Sequence, residues 1–344
     1  MSDVVSHSTD DLLIVGSEGG TNVGGSLVRA ANACGLRFRF GNTNSATGKS
    51  RIIRAICWRF FDRSPVYLHR FSQSIVDLCV RFRPKLLLTT GMAPVAAWAL
   101  KRIAELGVIR ANYSTDDPWS SHRRSLWFFQ ALRQYDIVYT PRRANIRDFH
   151  LLGCPRIEYL PFAYDPSLWT PPESYEATGT ETDILFVGGG DADRAPILQS
   201  LAQSGLRLKI CGGYWSRFPT LRPYSLGQMT HEEICKESRR AALSLILVRR
   251  SNRDGHVMRT FEAAAMRCCM LVERTDEHES LLGADGECVT YFSTPGELVA
   301  RAKALVSNTD ERERLAHAVH RRVTELSNTY QDRLKHILAH HSGI

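Results

Sequence analysis

Two acids, Asp254 and Glu262, are separated by seven residues that include Gly255, His256 and Arg259. Residues 243–248, Leu-Ser-Leu-Ile-Leu-Val, read as a strand leading into them. Asp254 then falls in a glycine-containing loop and Glu262 in a helix among Phe261, Ala263, Ala264 and Ala265. A strand, a loop and a helix with an inward acid make a site for a polar, anionic ligand. The helix N-terminus offers unpaired N–H groups and partial positive charge to phosphates. An acid one or two turns later accepts hydrogen bonds from sugar hydroxyls. A nucleotide sugar satisfies both demands. Each residue also has a plainer use: Asp254 as a helix N-cap, and Arg259 with Glu262 as an i,i+3 surface pair. The apolar surroundings of Glu262 argue for a buried carboxylate, which needs a partner such as an arginine or a ribose diol.

Cations gather in the same half. Arg194 follows Gly188-Gly189-Gly190, and Arg249, Arg250 and Arg253 follow the strand at 243–248. Guanidinium forks suit diphosphate oxygens. Two glycine-rich loops, one with Gly16, Gly19 and Gly20 and one with Gly188 and Gly189, let backbone approach a ligand or simply turn tightly from strand to helix. Neither completes a dinucleotide fingerprint, since Asp193 stands where the third glycine would fall. The Thr-Gly-Lys-Ser ending at Ser50 is not a P-loop, because Thr43 occupies the first glycine position. In the first half Asp117 before Pro118 reads as an N-cap and N1 pair. Asp116 has no such assignment and is free for chemistry; His122 and His256 are nearby candidates with structural uses as well.

These residues need a scaffold of alternating strands and helices. Residues 11–16 are an apolar run, 26–34 a helix stopped by Gly35, and 36–40 a strand, which opens a β-α-β pattern. Strands at 85–90, 108–113 and 136–140 alternate with helices at 94–106 and 123–133. Uninterrupted apolar strands between helices predict a parallel sheet covered on both faces. Residues 160–182, with Pro161, Pro166, Pro171 and Pro172, read as a linker. The pattern restarts with strands at 183–188, 206–211, 243–248 and 269–272, helices at 195–203 and 230–241, and a helical tail from residue 295. Thr230 and Glu233 have capping-box spacing. Domains are expected at 1–166 and 167–326, with 327–344 returning toward the first.

The whole chain constrains the rest. Its 344 residues exceed one ordinary core. With 43% hydrophobic and 23% charged residues it is a globular protein, and no apolar run is long enough to span a bilayer. The polar start of the chain is not a secretory signal. Nine cysteines without CxxC spacing point to reduced thiols, not zinc, and to a cytoplasmic chain. A net charge of +8 favours anionic partners, but no nucleic-acid motif accompanies it. Residues 49–63 form a helical stretch with Ile52, Ile53, Ile56, Cys57 and Phe60 on one face and Arg51, Arg54, Trp58 and Phe61 opposite. It either packs on residues 65–83 or meets an anionic membrane at its inner face.

Taken in order, several segments resemble glycosyltransferase family 4 and, more closely, the CgeB-like (spore-maturation type) glycosyltransferases. They are Thr115-Asp116-Asp117, the run from Tyr135 to Thr140, Leu160-Pro161 through Asp165-Pro166, and Leu185-Phe-Val-Gly188 with Arg194. Ile210-Cys-Gly212 with Trp215, Asp254-Gly255 with Arg259-Thr-Phe-Glu262 and its alanines, and Asn328-Thr-Tyr330 with Arg333 complete the set. The resemblance implies an α/β, GT-B type fold: two Rossmann-like domains with parallel sheets facing across a cleft, the donor held mainly by the second. It implies a nucleotide diphosphate sugar as substrate, UDP-linked by preference, with no metal and no cofactor. By that analogy Glu262 binds the ribose, Arg194 and Arg259 the diphosphate, Asp254 the sugar, and Tyr214 or Trp215 borders the base. Asp254 is shorter than the family's usual Glu, and Arg267 stands where a glycine is common.

The expected reaction is glycosyl transfer to a glycan, lipid-linked or other acceptor. Cations and helix amides would stabilise charge building on the leaving diphosphate. Family analogy implies retention; inversion would need a base, for which Asp116 is the candidate. Two rival readings remain: a non-catalytic binding or scaffolding protein on this fold, and a nucleotide-sugar epimerase.

Overall fold

The computed structural model describes residues 11–48, 50–171 and 181–341. The polar start of the chain before Asp11, Lys49 at the head of the expected basic helix, and residues 172–180 of the expected linker lie outside the described residues. The chain divides into two compact units, Met1–Pro161 with Tyr330–Ile344, and Phe162–Thr329. The sequence expectation had placed these divisions at residues 166 and 326.

Unit 1 runs β1 (Leu12–Gly16), α1 (Val23–Ala33), β2 (Phe38–Asn42), α2 (Arg51–Phe60), α3 (Leu68–Phe82), β3 (Leu86–Thr90) and α4 (Ala97–Glu105). It continues with β4 (Ile109–Tyr113), α5 (Leu126–Leu132), β5 (Ile137–Thr140), α6 (Arg143–Leu152) and β6 (Ile157–Tyr159). The six strands are parallel, in the order β2-β1-β3-β4-β5-β6. β1 and β3 are buried at every position, as strands covered on both faces must be. α3 packs Phe71, Ile75, Val76 and Cys79 into the core at helical spacing. Close packing of β1 on α1 depends on two glycines: a Cβ on Gly16 would lie 2.9 Å from the Gly24 Cα.

Unit 2 runs β7 (Thr182–Val187), α7 (Ala195–Ala202), β8 (Leu208–Cys211), β9 (Ser225–Gly227), α8 (His231–Arg240) and β10 (Ala241–Ile246). Then come α9 (Met258–Ala265), β11 (Met270–Glu273), α10 (Asp276–Leu282), β12 (Thr290–Phe292), α11 (Pro295–Ser307) and α12 (Thr309–Glu325). Its parallel order is β12-β11-β10-β7-β8-β9. α8 opens with the expected capping box of Thr230 and Glu233. α13 (Tyr330–Ala339) belongs to unit 1, where α1 is its neighbour. Two parallel six-stranded sheets with covering helices give the α/β architecture expected.

Local differences have simple causes. β6, β9 and β12 are three-residue edge strands, too short to show a period. Asp117 does not cap a helix; its Oδ1 accepts from the Trp119 N–H at 2.9 Å and closes a turn, and α5 starts only at Leu126. Asp254 is not an N-cap either, because α9 begins at Met258 behind Val257.

Candidate functional site

Strand order selects the place to look. In unit 2 the chain builds β7, β8 and β9 outward in one direction, then returns to add β10, β11 and β12 in the other. The loops leaving β7 and β10 therefore diverge, and ligands of open α/β sheets bind where such loops separate.

Glycines shape the first of these loops. The Gly188 N–H donates to the Cys211 carbonyl at 2.8 Å and the Gly190 N–H to the Gly213 carbonyl at 2.9 Å, zipping the loop after β7 to the turn after β8. Gly212 is indispensable there: its φ is +139°, and a Cβ would lie 2.2 Å from the Gly188 oxygen. Trp215 is buried under this turn and donates its Nε1–H to the Gly188 carbonyl at 2.8 Å. Its ring therefore supports the loop from inside and does not face solvent. Tyr214 is the exposed aromatic, 60% accessible, with the Arg217 guanidinium 4.8 Å from its ring centre. Gly189 faces the same side as Tyr214, its would-be Cβ 3.4 Å from Arg249 Nη2.

Arg194 ties the two diverging loops together. Buried, it donates from Nη1 to the Gly189 carbonyl at 3.3 Å, from Nη2 to Leu247 at 3.2 Å and from Nε to Val248 at 3.3 Å. Burial lowers its pKa, an effect the nearby Asp191 carboxylate opposes. Asp191 Oδ2 lies 3.6 Å from Arg194 Nη1 and 3.7 Å from Arg249 Nε, so one acid serves two guanidiniums. Glu273, at the end of β11, accepts from the Val248 N–H and from Arg250 Nη2, each at 3.0 Å.

A second cluster sits at the start of α9. Arg259 and Glu262 do form the i,i+3 pair, Nη2 to Oε2 at 3.2 Å, but it is buried and not a surface pair. The Arg259 guanidinium lies over the Trp169 ring at 4.8 Å, and its buried Nη1 has no hydrogen-bond partner among the described residues. Burial raises the pKa of Glu262, Arg259 opposes that rise, and Asp165 adds to it. α9 is reached from β10 through the loop at 247–257, so its first turns lie at the carboxyl edge of the sheet, as do the loops that Arg194 bridges.

Helix α10 holds this corner in place. The His256 ring is fully buried, with Nδ1 2.8 Å from Glu277 Oε2 and Nε2 accepting from the Phe162 N–H at 3.1 Å. Both ring nitrogens are thus engaged in fixing the loop. Gly255 makes this possible, since a Cβ there would lie 2.4 Å from Glu277 Cδ. His278 Nε2 meets Thr260 Oγ1 at 3.0 Å, between Arg259 and Glu262, while its Nδ1 meets the Glu273 carbonyl at 2.8 Å. Burial holds the His278 pKa down to about 3, so the ring stays neutral. Asp254 lies in the loop between the clusters, its N–H donating to the Arg249 carbonyl at 3.2 Å and its charge felt by Arg194.

The remaining candidates belong to unit 1. Gly19 and Gly20, both at positive φ, form the turn after β1. Asp116 pairs with Arg123 at 3.1 Å, and its Oδ2 lies 3.1 Å from where a Gly91 Cβ would be. His122 is exposed. Sequence reasoning gave no role to Asp165, which stands in a quoted motif, and missed Trp169, Asp191, Glu273, Glu277 and His278, which stand in none. Asp191 Oδ1 accepts from the N–H groups of Asp193 and Arg194 and closes the turn before α7.

Comparison with known proteins agrees with this architecture. Residues 194–339 match a family model described as glycosyl transferase-like. No curated protein matches the chain in sequence. Among solved structures, a sucrose-phosphate synthase from Thermosynechococcus elongatus is similar with a TM-score of 0.71 at 12% identity, over 96% of this chain and 98% of that one. HepE of Anabaena in complex with UDP-glucose gives 0.65 at 11% identity, over 95% and 99%. BGT of phage T4 in complex with its UDP-glucose substrate gives 0.57 at 13%, over 94% and 98%. The fold is that of the GT-B glycosyltransferases.

Proposed function

We propose that this chain is a glycosyltransferase that moves a sugar from a nucleotide diphosphate donor, UDP-linked by preference, to a hydroxyl-bearing acceptor. The observation that carries the reading is the carboxyl edge of the unit 2 sheet. There a basic pair, Arg194 and Arg249, borders the diverging loops, and a buried carboxylate, Glu262, lies beside Arg259, whose Nη1 has no hydrogen-bond partner among the described residues. The match of residues 194–339 to a glycosyl transferase-like family supports it.

In this reading Glu262 accepts from the ribose hydroxyls. Arg259 and Arg249 hold the diphosphate, and buried Arg194 contributes fixed charge beneath it. Tyr214 borders the base, Gly189 lets the phosphates approach, and Asp254 meets the sugar. Leaving-group charge is stabilised by these cations and by the N-terminus of α9. Transfer proceeds with retention, the departing phosphate taking the acceptor proton, and needs no metal. The CgeB-like type is the branch whose motifs the chain shares.

The acceptor is a glycan or a lipid-linked molecule, met at the cytoplasmic face of a membrane. α2 supports this location. It exposes Ile52, Ile56, Trp58 and Phe60, with Phe61 just beyond, beside exposed Arg59. Such a helix lies well in an anionic lipid interface. Co-sedimentation with anionic vesicles at low salt, lost on Trp58→Ser with Phe60→Ser, is the expected result.

A thermal-shift screen across UDP-, GDP- and dTDP-sugars tests the central claim, since a ligand that binds only the native state raises the melting temperature. Selective stabilisation by one nucleotide, followed by NMR of the product anomer with an acceptor, is expected. If no nucleotide sugar stabilises the chain, the reading fails. Turnover of the donor to an isomer without an acceptor would replace it with epimerisation.

A further inference from the structure

A second constellation lies in unit 1, and the proposed sugar transfer does not use it. Glu158 on β6 and His336 on α13 are joined by a side-chain hydrogen bond, and His340, one helical turn on, approaches Glu158 Oε2 through Nδ1 at 3.1 Å. The donor atoms of all three lie within 4.8 Å of one another. We propose that Glu158, His336 and His340 bind one divalent transition-metal ion of the zinc class.

The geometry has three parts. First, the i,i+4 spacing puts both imidazoles on one face of the helix, and the His340 N–H donates to the His336 carbonyl at 3.4 Å, so the helical turn persists to that residue. Their ring centres are 4.4 Å apart. Second, ligand atoms about 2.0–2.1 Å from a tetrahedral zinc stand roughly 3.3 Å from one another. The 3.1 Å between His340 Nδ1 and Glu158 Oε2 is close to that edge. Third, an aromatic ring stacks on one of the ligand rings. Strand register places Tyr139 of β5 opposite Glu158. The Tyr139 ring is nearly parallel to that of His340, at 8°, and its hydroxyl is 3.3 Å from His340 Nδ1. That stacking fixes the plane of the imidazole, and an ion at Nδ1 would displace the hydroxyl from it.

Two imidazoles and a carboxylate suit zinc, cobalt, nickel or copper better than magnesium or calcium. His336 is exposed, which leaves room for water in the fourth position. Arg156, 3.7 Å from Glu158 Oε2, is the nearby cation and weakens the site. The ion would clamp α13, the last helix, to the edge strand β6, a structural task independent of donor chemistry. Protons compete for the imidazoles, so affinity falls in acid.

Titration of the full chain with CoCl2, followed by the visible d–d absorption of tetrahedral cobalt, tests this directly. One equivalent is expected to bind and to be displaced by ZnCl2. Glu158→Gln should weaken binding at least tenfold, and His336→Ala with His340→Ala should abolish it. Zinc should raise the melting temperature of the wild type but not of the double variant. Should the double variant not fold, His336→Asn alone changes an exposed residue and must likewise lose the cobalt spectrum. Equal cobalt binding by wild type and His336→Asn overturns the proposal. So does a wild type that binds none, which would leave two imidazoles hydrogen-bonded to a carboxylate.

Discussion

The two units solve the same folding problem with different arrangements of charge. Each is a six-stranded parallel sheet with one point where strand order reverses, between β1 and β3 in unit 1 and between β7 and β10 in unit 2. At the first, acids and cations are matched: Glu18 accepts from Asn42, Asp116 beside Gly91 pairs with Arg123, and Arg29 donates to the Gly20 carbonyl. At the second, the neighbours are the arginines 194 and 249 around Asp191. Topology creates a place for a ligand in both, and side-chain charge then decides which ligand. On the proposed reading, the diphosphate lies at the point that holds Arg194 and Arg249.

The sharpest way to break that contrast is to remove Glu262. Glu262→Ala takes away a charge-assisted acceptor for ribose, about 2–3 kcal/mol, or on the order of a hundredfold in donor affinity. Isothermal titration with the stabilising nucleotide reads it, and unchanged affinity would mean the donor lies elsewhere. Arg249→Ala should cost less, about tenfold, because the side chain is 37% exposed and its charge is screened. Its loss should also flatten the salt dependence of binding. Asp116→Asn separates the units: donor affinity stays as it was, while turnover falls about tenfold if Asp116 only orients the acceptor. A loss on the order of a hundredfold or more would make it a general base and the enzyme inverting.

How much of this was legible beforehand follows from physics. β1, β3, β7 and β10 are continuous apolar runs because both faces are covered, and such runs announce themselves. Glu262 and Arg259 were visible because an acid among alanines needs an explanation. The support around them was not. Glu277 reaches His256 across 21 residues of chain and Glu273 reaches the Val248 N–H across 25, pairings set by strand order and not by spacing. The resemblance offers Tyr214 or Trp215 for the base because exposed and buried aromatics look alike in a sequence; the Trp215 indole N–H serves the Gly188 carbonyl. His256 was nominated on proximity alone, and its burial could not be read from its neighbours. The constellation of Glu158, His336 and His340 was invisible for a related reason. It joins the end of the first sheet to a helix more than 170 residues later, which only the return of α13 to unit 1 brings about.

A last effect, on stability and not on binding, concerns histidines, and it too distinguishes the units. His256 and His278 of unit 2 are wholly buried, whereas His69, His122 and His150 of unit 1 are exposed. Burial holds the His278 pKa near 3, well below the ordinary 6.5 of an imidazole. A base with a depressed folded pKa binds its proton in the unfolded chain first, so stability is full above about 6.5 and declines as pH falls toward the folded value. Within that window one extra proton on unfolding costs about 1.4 kcal/mol per pH unit. Because His278 holds Thr260, that loss falls on the start of α9, where Arg259 and Glu262 sit. Glu262, with its raised pKa, acts the other way: above the ordinary carboxylate range, stability declines as pH rises toward its folded value. Denaturant unfolding between pH 7 and pH 5 should show the acid slope in the wild type and a shallower one in His278→Gln. The His122→Gln variant of unit 1 should keep the wild-type slope. Identical slopes in all three would show that acid sensitivity does not reside at the corner of unit 2 where α10 meets α9.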